Sequence, residues 1–522
     1  MDYDERKKKL KQEESCLADT KSRQWHAPLF DTLTALQQSN PVSFHVPGHK
    51  YGQSLGHMAG MNDDALRAFQ SIMKIDVTEI SGTDDLHAPS GIIQEAQTLA
   101  AEVFGAEQTF FLVGGSTVGN LAMLLAACGP GDLVIVQRNA HKSVLNGLKL
   151  AGANAVFIMP RKDAGSNLDV LPDILQIEEA MTKYPEAKAV FLTNPSYYGL
   201  SIDLEPYANQ IHANGMLLLV DEAHGAHYGL HPAFPRSAIQ AGADAVVQST
   251  HKTLPALTMG AMLHVQGPRI NTMALADALR MVQSSSPSYP IMASLDMTRA
   301  MLQTYGCDLF EQGIQAARVF RGWIKGQSAY ETIMLDDEQG HPSSAAAIKV
   351  DPIRVVLREA QGRLSGFDLQ QRLEQYGCYA EMADLRYVVL LFGLAASDSD
   401  VSRLQQALLA IAEEIEREGL EAKANLHMAI DHHRTMSEPV AFTRSGVKQA
   451  SNGTETIPLS NSAGRYTVEA VIPYPPGIPL LYEGERITEE TIHYIQQLMQ
   501  HGARCQGATD PTMQTITVLR TG

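Results

Sequence analysis

Asp221 stands directly after the wholly apolar run MLLLV (216–220) and Lys252 at the end of another expected strand, AVVQ (245–248), and the chemistry of this chain begins with them. A lysine amine at a strand end can form an imine with an aldehyde cofactor. An aspartate there is costly to bury without a cationic partner, and a pyridinium N–H is such a partner. A third run, TFFLV (109–113), leads into Gly114-Gly115-Ser116-Thr117. Glycines followed by Ser and Thr at a helix start offer N–H groups, hydroxyls and a positive dipole end, which suit a phosphate. Histidines recur in the same places: His141 after LVIV, His224 in the string DEAH, and His251 beside Lys252. Each feature also has an ordinary reading. Ser116 and Thr117 suit a plain helix cap, Asp221 a cap or a metal ligand, and most lysines are solvated. What outweighs those readings is that five consecutive apolar runs end in polar, reactive or phosphate-friendly residues.

The elements that must hold these residues follow from periodicity. Seven apolar runs alternate with helix-like stretches: 109–113, 133–136, 155–159, 189–193, 216–220, 245–248 and 261–265. Continuous, β-branched runs of this length suit strands buried on both faces, and their alternation with helices predicts an α/β fold with a mostly parallel sheet. In such sheets ligands bind at the carboxyl ends of the strands, where the reactive residues stand. Residues 116–127 and 204–215 read as crossover helices, the second closing on Gly215. Residues 266–325 read as helical. A second α/β pattern starts near Ser328, with strands at 348–350, 353–357 and 388–393 and an amphipathic helix at 399–418. The expected domains are an N-terminal extension with a helical segment (1–75), a large cofactor-binding domain (76–325) and a smaller α/β C-terminal domain (326–522). Within the last, residues 425–465 are expected to wind over the surface.

Composition bounds the function. The formal charge of −17 argues against nucleic acid as the main partner, because phosphate binding needs a surplus of Lys and Arg. No run of 18 or more apolar residues predicts a membrane span, and the charged start MDYDERKKKLKQEESC lacks a signal peptide's apolar core, so a cytoplasmic protein is expected. The five cysteines are scattered and are expected to be free thiols. DEAH also occurs in a helicase family, but that reading needs a GK[ST] phosphate loop, which the chain lacks. Pro47-Gly48 between His45 and His49 argues against a zinc-binding helix, and no ligand set accompanies His224 and His227, so no metal is expected.

The fuller strings resemble the Orn/Lys/Arg decarboxylase family of fold-type I (aspartate-aminotransferase-like) pyridoxal-5′-phosphate (PLP) enzymes: FHVPGHK (44–50), DVTEISGTDDLHAPSG (76–91), VGGSTVGN (113–120), RNAHKS (138–143), DEAHGAH (221–227), QSTHK (248–252) and PYPPGIP (473–479). The short form of the family is the nearer likeness. The resemblance implies that Lys252 carries the cofactor, that Asp221 pairs with its pyridine nitrogen, and that His141 stacks on its ring. It implies contacts of Gly115, Ser116, Thr117, Ser249 and His251 with the phosphate or its surroundings, and a reach of Ser285 or Ser286 in SSSPSY (284–289) to the phosphate of a neighbouring subunit. His224 stands where longer members carry Trp, a departure from the pattern. The implied reaction is decarboxylation of arginine, lysine or ornithine, with arginine favoured and with Lys252 or His251 returning a proton to the product. Glu79, Asp84 and Asp85 are the candidates for meeting the substrate's distal cation, against a plain reading as helix caps or surface loop. A homodimer or higher homo-oligomer is implied. The alternatives are another PLP reaction such as aminotransfer, or a catalytically silent regulatory paralogue.

Overall fold

The computed structural model describes residues 25–57, 62–333, 348–422, 435–442, 453–474 and 477–520. All seven apolar runs are strands: β1 (Gln108–Leu112), β2 (Leu133–Gln137), β3 (Asn154–Ile158), β4 (Ala189–Thr193), β5 (Leu217–Asp221), β6 (Ala245–Gln248) and β7 (Ala261–Val265). Strands β2, β6 and β7 are buried at every position, as continuous apolar runs require.

The chain divides into two compact units that interleave along the sequence, Met1–Ala127 with Leu204–Phe310, and Cys128–Asp203 with Glu311–Gly522. In the first unit the strand order is β1-β7-β6-β5. Strands β5 and β6 are parallel, whereas β7 runs antiparallel to both β6 and β1. Asp221 lies opposite Val247, so the end of β5 and the segment after β6 leave the sheet at the same edge. Helix Gly115–Ala127 comes down on β6 at Gly119, where a Cβ would stand 2.4 Å from Val247 Cγ2. Helix Ile92–Phe104 packs on β1 and β7. Its Gln97 Oε1 accepts the Phe111 N–H at 2.7 Å, and its Phe104 ring lies 4.8 Å from that of His264. The helical stretch expected over 266–325 consists of three helices, Thr272–Val282, Tyr289–Tyr305 and Asp308–Ile324.

In the second unit β4, β2 and β3 run parallel in that order, and Val440–Ala441 adds to β3 antiparallel. A four-stranded antiparallel sheet follows, in the order Met382–Ala383, Val388–Leu391, Arg354–Glu359 and Tyr330–Thr332. The amphipathic helix expected at 399–418 is Asp398–Glu418. It starts on a Ser397/Asp400 capping box, ends on left-handed Gly419, and buries Val401, Leu404, Leu408, Ile411 and Ile415. Strands Thr454–Pro458 and Thr515–Leu519 pair over a cluster that includes Leu459, Val471, Leu481, Ile495 and Val518. The N-terminal extension to residue 24 and much of 425–465 lie outside the described residues.

Cys128, Cys378 and Cys505 are free thiols. Cys307 is disulfide-bonded, against the expectation for all five. Scattered spacing cannot reveal such a bond, because pairing depends on which distant segments the fold brings together. Among the described residues no helix is long and apolar enough to cross a membrane.

Candidate active site

Asp221 ends β5 almost fully buried. Asn120 Nδ2, from helix Gly115–Ala127, donates to its Oδ2 at 2.7 Å, and the Ala223 N–H donates to Oδ1 at 3.0 Å. Two donors leave acceptor capacity on both oxygens, since a carboxylate has about four lone-pair sites. The group is therefore fixed in direction and able to accept from a further cationic N–H.

Lys252 lies in the short helix Thr250–Thr253 that follows β6. Its Nζ is 2.8 Å from Nε2 of the buried His224. An ammonium only donates, so a charged Lys252 makes His224 accept at Nε2 and carry its proton on Nδ1. A lysine must be neutral to attack a carbonyl carbon, and the imidazole is a base within reach of its proton. His224, the position at which the sequence departs from the expected pattern, thus contacts the Lys252 amine directly. His251 bonds the Gly260 carbonyl through Nδ1 at 2.9 Å, and because a carbonyl only accepts, that nitrogen carries the proton.

Ser249 precedes this helix. It is buried, it makes no side-chain cap bond, and its Oγ has no hydrogen-bond partner among the described residues. An unpartnered buried hydroxyl is costly, and an anionic ligand at the strand ends would satisfy it. Helix Gly115–Ala127 begins at Gly115, whose φ of 74° favours glycine, with Ser116 half-buried and Thr117 exposed in its first turn. Asp221, Asn120, His224, Ser249, Lys252 and the Gly115–Thr117 turn all belong to the first unit.

The acidic loop divides in the structure. The Asp84 carboxylate accepts five backbone N–H groups, from Asp85, Ser90, Gly91, Ile93 and Gln94, and so caps helix Ile92–Phe104. Burial alone would raise its pKa, but the backbone donors outweigh burial and hold it below the usual carboxylate value. This is the helix-cap reading of Asp84. Asp85 Oδ1 accepts the His87 N–H at 2.8 Å, and Glu79 is exposed, taking the Thr78 hydroxyl. The Tyr289 hydroxyl donates to the Asp84 carbonyl at 2.8 Å. Ser285 and Ser286 are exposed, while His87 Nε2 bonds the Ser284 carbonyl at 2.8 Å.

His141 belongs to the second unit. It caps helix Lys142–Ala151, accepting the Ser143 N–H at Nδ1, which places its proton on Nε2. A Cβ on Gly477 would stand 3.0 Å from the His141 ring, and the Lys142 N–H donates to the Gly477 carbonyl, so Gly477 is seated on this histidine.

Residues 27–400 match the family described as Orn/Lys/Arg decarboxylase, major domain, and residues 427–512 match its C-terminal domain. The chain belongs to this family. It is an amino-acid decarboxylase, and its relatives point to basic amino acids. It is 35% identical to an arginine decarboxylase of Bacillus subtilis (strain 168), over 95% of this chain and 98% of that one. A protein of the same organism named YaaO is 40% identical over 92% of this chain and 96% of its own. Lysine decarboxylase LdcA of Pseudomonas aeruginosa is 26% identical, over 89% of this chain and 74% of its own. The fold is shared with the Francisella novicida lysine decarboxylase LdcF, at a TM-score of 0.77 and 20% identity, over 95% of this chain and 81% of that one.

Asn120 and Ser249 differ in how visible they were. Ser249 is marked in the sequence through the family resemblance, within QSTHK. Asn120 was quoted only within VGGSTVGN, although a lone amide in the otherwise apolar stretch 118–127 is a signal that it meets something polar.

Proposed function

We propose that this chain decarboxylates a basic amino acid with pyridoxal 5′-phosphate as cofactor, and that arginine is the favoured substrate. One observation carries the reading: adjacent parallel strands deliver a buried, fixed carboxylate (Asp221), an amine against an imidazole (Lys252) and an unpartnered hydroxyl (Ser249) to one edge. The family match and the arginine decarboxylase relatives support the reaction and the substrate. When bound, the cofactor supplies an aldehyde for Lys252 and a ring that withdraws electrons from the bond being broken.

The chain's own residues supply the rest. Asp221, held by Asn120, keeps a negative charge where the cofactor's ring nitrogen must stay protonated. Ser249, with Ser116, Thr117 and Gly115, holds the phosphate. His224 takes the Lys252 proton and leaves the amine nucleophilic. Lys252 would be a proton source for the product, with His251 as the second candidate. His141 is assigned to the ring face on the family pattern. Asp85 and Glu79 remain the candidates for the substrate's distal cation, since the Asp84 carboxylate is engaged by backbone. The exposed Ser285 and Ser286 support a reach to a second subunit in a homodimer.

The test is carbon dioxide release by the protein supplied with PLP and with arginine, lysine or ornithine in parallel, beside Lys252→Ala. Release from one substrate, lost in the variant, is expected. An intact visible cofactor band without release from any of the three would instead favour another PLP reaction such as aminotransfer.

A further inference from the structure

Glu222 is the residue after Asp221 and is fully buried, yet the chemistry above does not use it. Its Oε1 accepts the Ala238 N–H at 2.8 Å, and its Oε2 accepts from Gln248 Nε2 at 2.7 Å. The string continues: Gln248 Oε1 is 3.1 Å from His264 Nε2, and His264 Nδ1 is 2.8 Å from Thr109 Oγ1. Four neighbouring strands or their continuations, β5, β6, β7 and β1, are thereby tied in series. Gln248 directly precedes Ser249, so the string is anchored one residue from each of two proposed cofactor contacts.

The chemistry of these side chains allows two complete bonding patterns. With Glu222 ionised, the Gln248 amide donates to it, His264 donates from Nε2 to Gln248, and Thr109 donates to Nδ1. With Glu222 protonated, every link reverses. The carboxyl donates to the Gln248 oxygen once the amide has turned over, Gln248 donates to His264 Nε2, and Nδ1–H donates to Thr109. Each link along the string keeps one donor facing one acceptor in either pattern.

We propose that Glu222, through Gln248, His264 and Thr109, is a proton-holding positioning residue for Asp221. The string lets Glu222 gain or lose its proton without a break in the bonding that joins these strands, while changing the charge beside Asp221. Burial, followed by the repulsion of Asp221, pushes Glu222 up to about 8 against the lowering effects of Gln248 and Ala238. Burial holds His264 down to about 3, so its ring stays neutral and responds by exchanging tautomers. The charged group acting on Glu222 is Asp221. Gln248 and the Ala238 N–H face it as neutral donors, and His264 faces it through Gln248. The link to Asp221's task rests on the proposed cofactor.

The experiment is ring-nitrogen NMR of His264 in the full chain without added cofactor, titrated between about pH 6 and 10. It is run beside Glu222→Gln, and the visible band of the PLP-loaded protein is titrated over the same range. The expected result is a neutral His264 that passes from the Nδ1–H to the Nε2–H form as pH rises, with one fixed tautomer in Glu222→Gln. The visible band should show a step over the same interval that the variant lacks. A tautomer that does not change with pH, a doubly protonated ring, or a band titration identical in both proteins overturns the proposal. Wild-type protein with no visible band defeats the cofactor reading, while the His264 spectra still decide the string. Because the NMR arm is read on the wild type, it stands even if the variant folds poorly.

Discussion

Lys252 Nζ lies 2.8 Å from His224 Nε2, which joins the lysine amine to a histidine in the turn that directly follows Asp221. A neutral imidazole at this distance can hold the amine's proton. We expect Lys252→Ala to abolish carbon dioxide release. His224→Phe, which keeps a ring but no nitrogen, should lower kcat by about a hundredfold, the usual scale for a lost proton-transfer partner. Steady-state kinetics with thermal unfolding as a control checks this, and a His224→Phe enzyme of normal kcat would remove His224 from the mechanism.

Asn120→Ala deletes the side-chain donor to a buried carboxylate. Stability should fall by about 1–3 kcal/mol, and the affinity for PLP should fall with it, because Asp221 loses its fixed direction. Chemical denaturation and a cofactor titration give the two readings. Unchanged affinity in a folded variant would show that Asn120 serves packing alone.

Ser249→Ala removes a hydroxyl that has no partner among the described residues. The cofactor-free protein should be no less stable, whereas the dissociation constant for PLP should rise about tenfold or more, the value of one hydrogen bond to a charged group. Loss of stability without loss of affinity would contradict the phosphate assignment.

Asp84→Ala should cost about 1–2 kcal/mol, since it removes a helix cap and places alanine at a φ of 65°. The Michaelis constant should stay unchanged. Charge reversal at Asp85 is expected to raise it, and an unchanged Michaelis constant there would take Asp85 off the list of substrate contacts.

Stability should also depend on pH through the buried string. Glu222 ionises near 4.5 in the unfolded chain and near 8 in the folded one, so between these values only the folded state holds that proton. Its contribution is therefore present below about 4.5 and is lost as pH rises toward 8. His264 acts in the opposite sense. It is neutral in the folded state down to about 3 but protonates near 6.5 when unfolded, so stability is lost as pH falls through that window. Denaturant midpoints from acid to mild alkali should show Glu222→Gln flattening the alkaline slope and leaving the acid slope in place.

The seven strands β1 to β7 were readable because a strand covered on both faces must be largely apolar, and that run survives in one dimension. Boundaries moved by a residue: β5 ends on Asp221 itself, since the backbone ladder continues through the polar residue. The reversal of β7 was not readable, because a buried antiparallel strand has the same composition as a parallel one. Nor was the interleaving of the two units, which depends on where the chain crosses between them.

For the candidate site, residue types and their place after apolar runs determined Lys252, Asp221 and the Gly-Ser-Thr turn, because reactive groups at strand ends leave a local signature. Only the tertiary structure decided what each of them touches. Asn120 precedes Asp221 by a hundred residues, and Thr109 and His264 meet across paired strands. The loop carboxylates show the same division. Sequence marked Asp84 and Asp85 as equals, and folding gave five backbone donors to the first and one to the second. Chemical identity is a property of the residue, but hydrogen-bond partnership is a property of distance, and distance between remote residues exists only once the chain has folded.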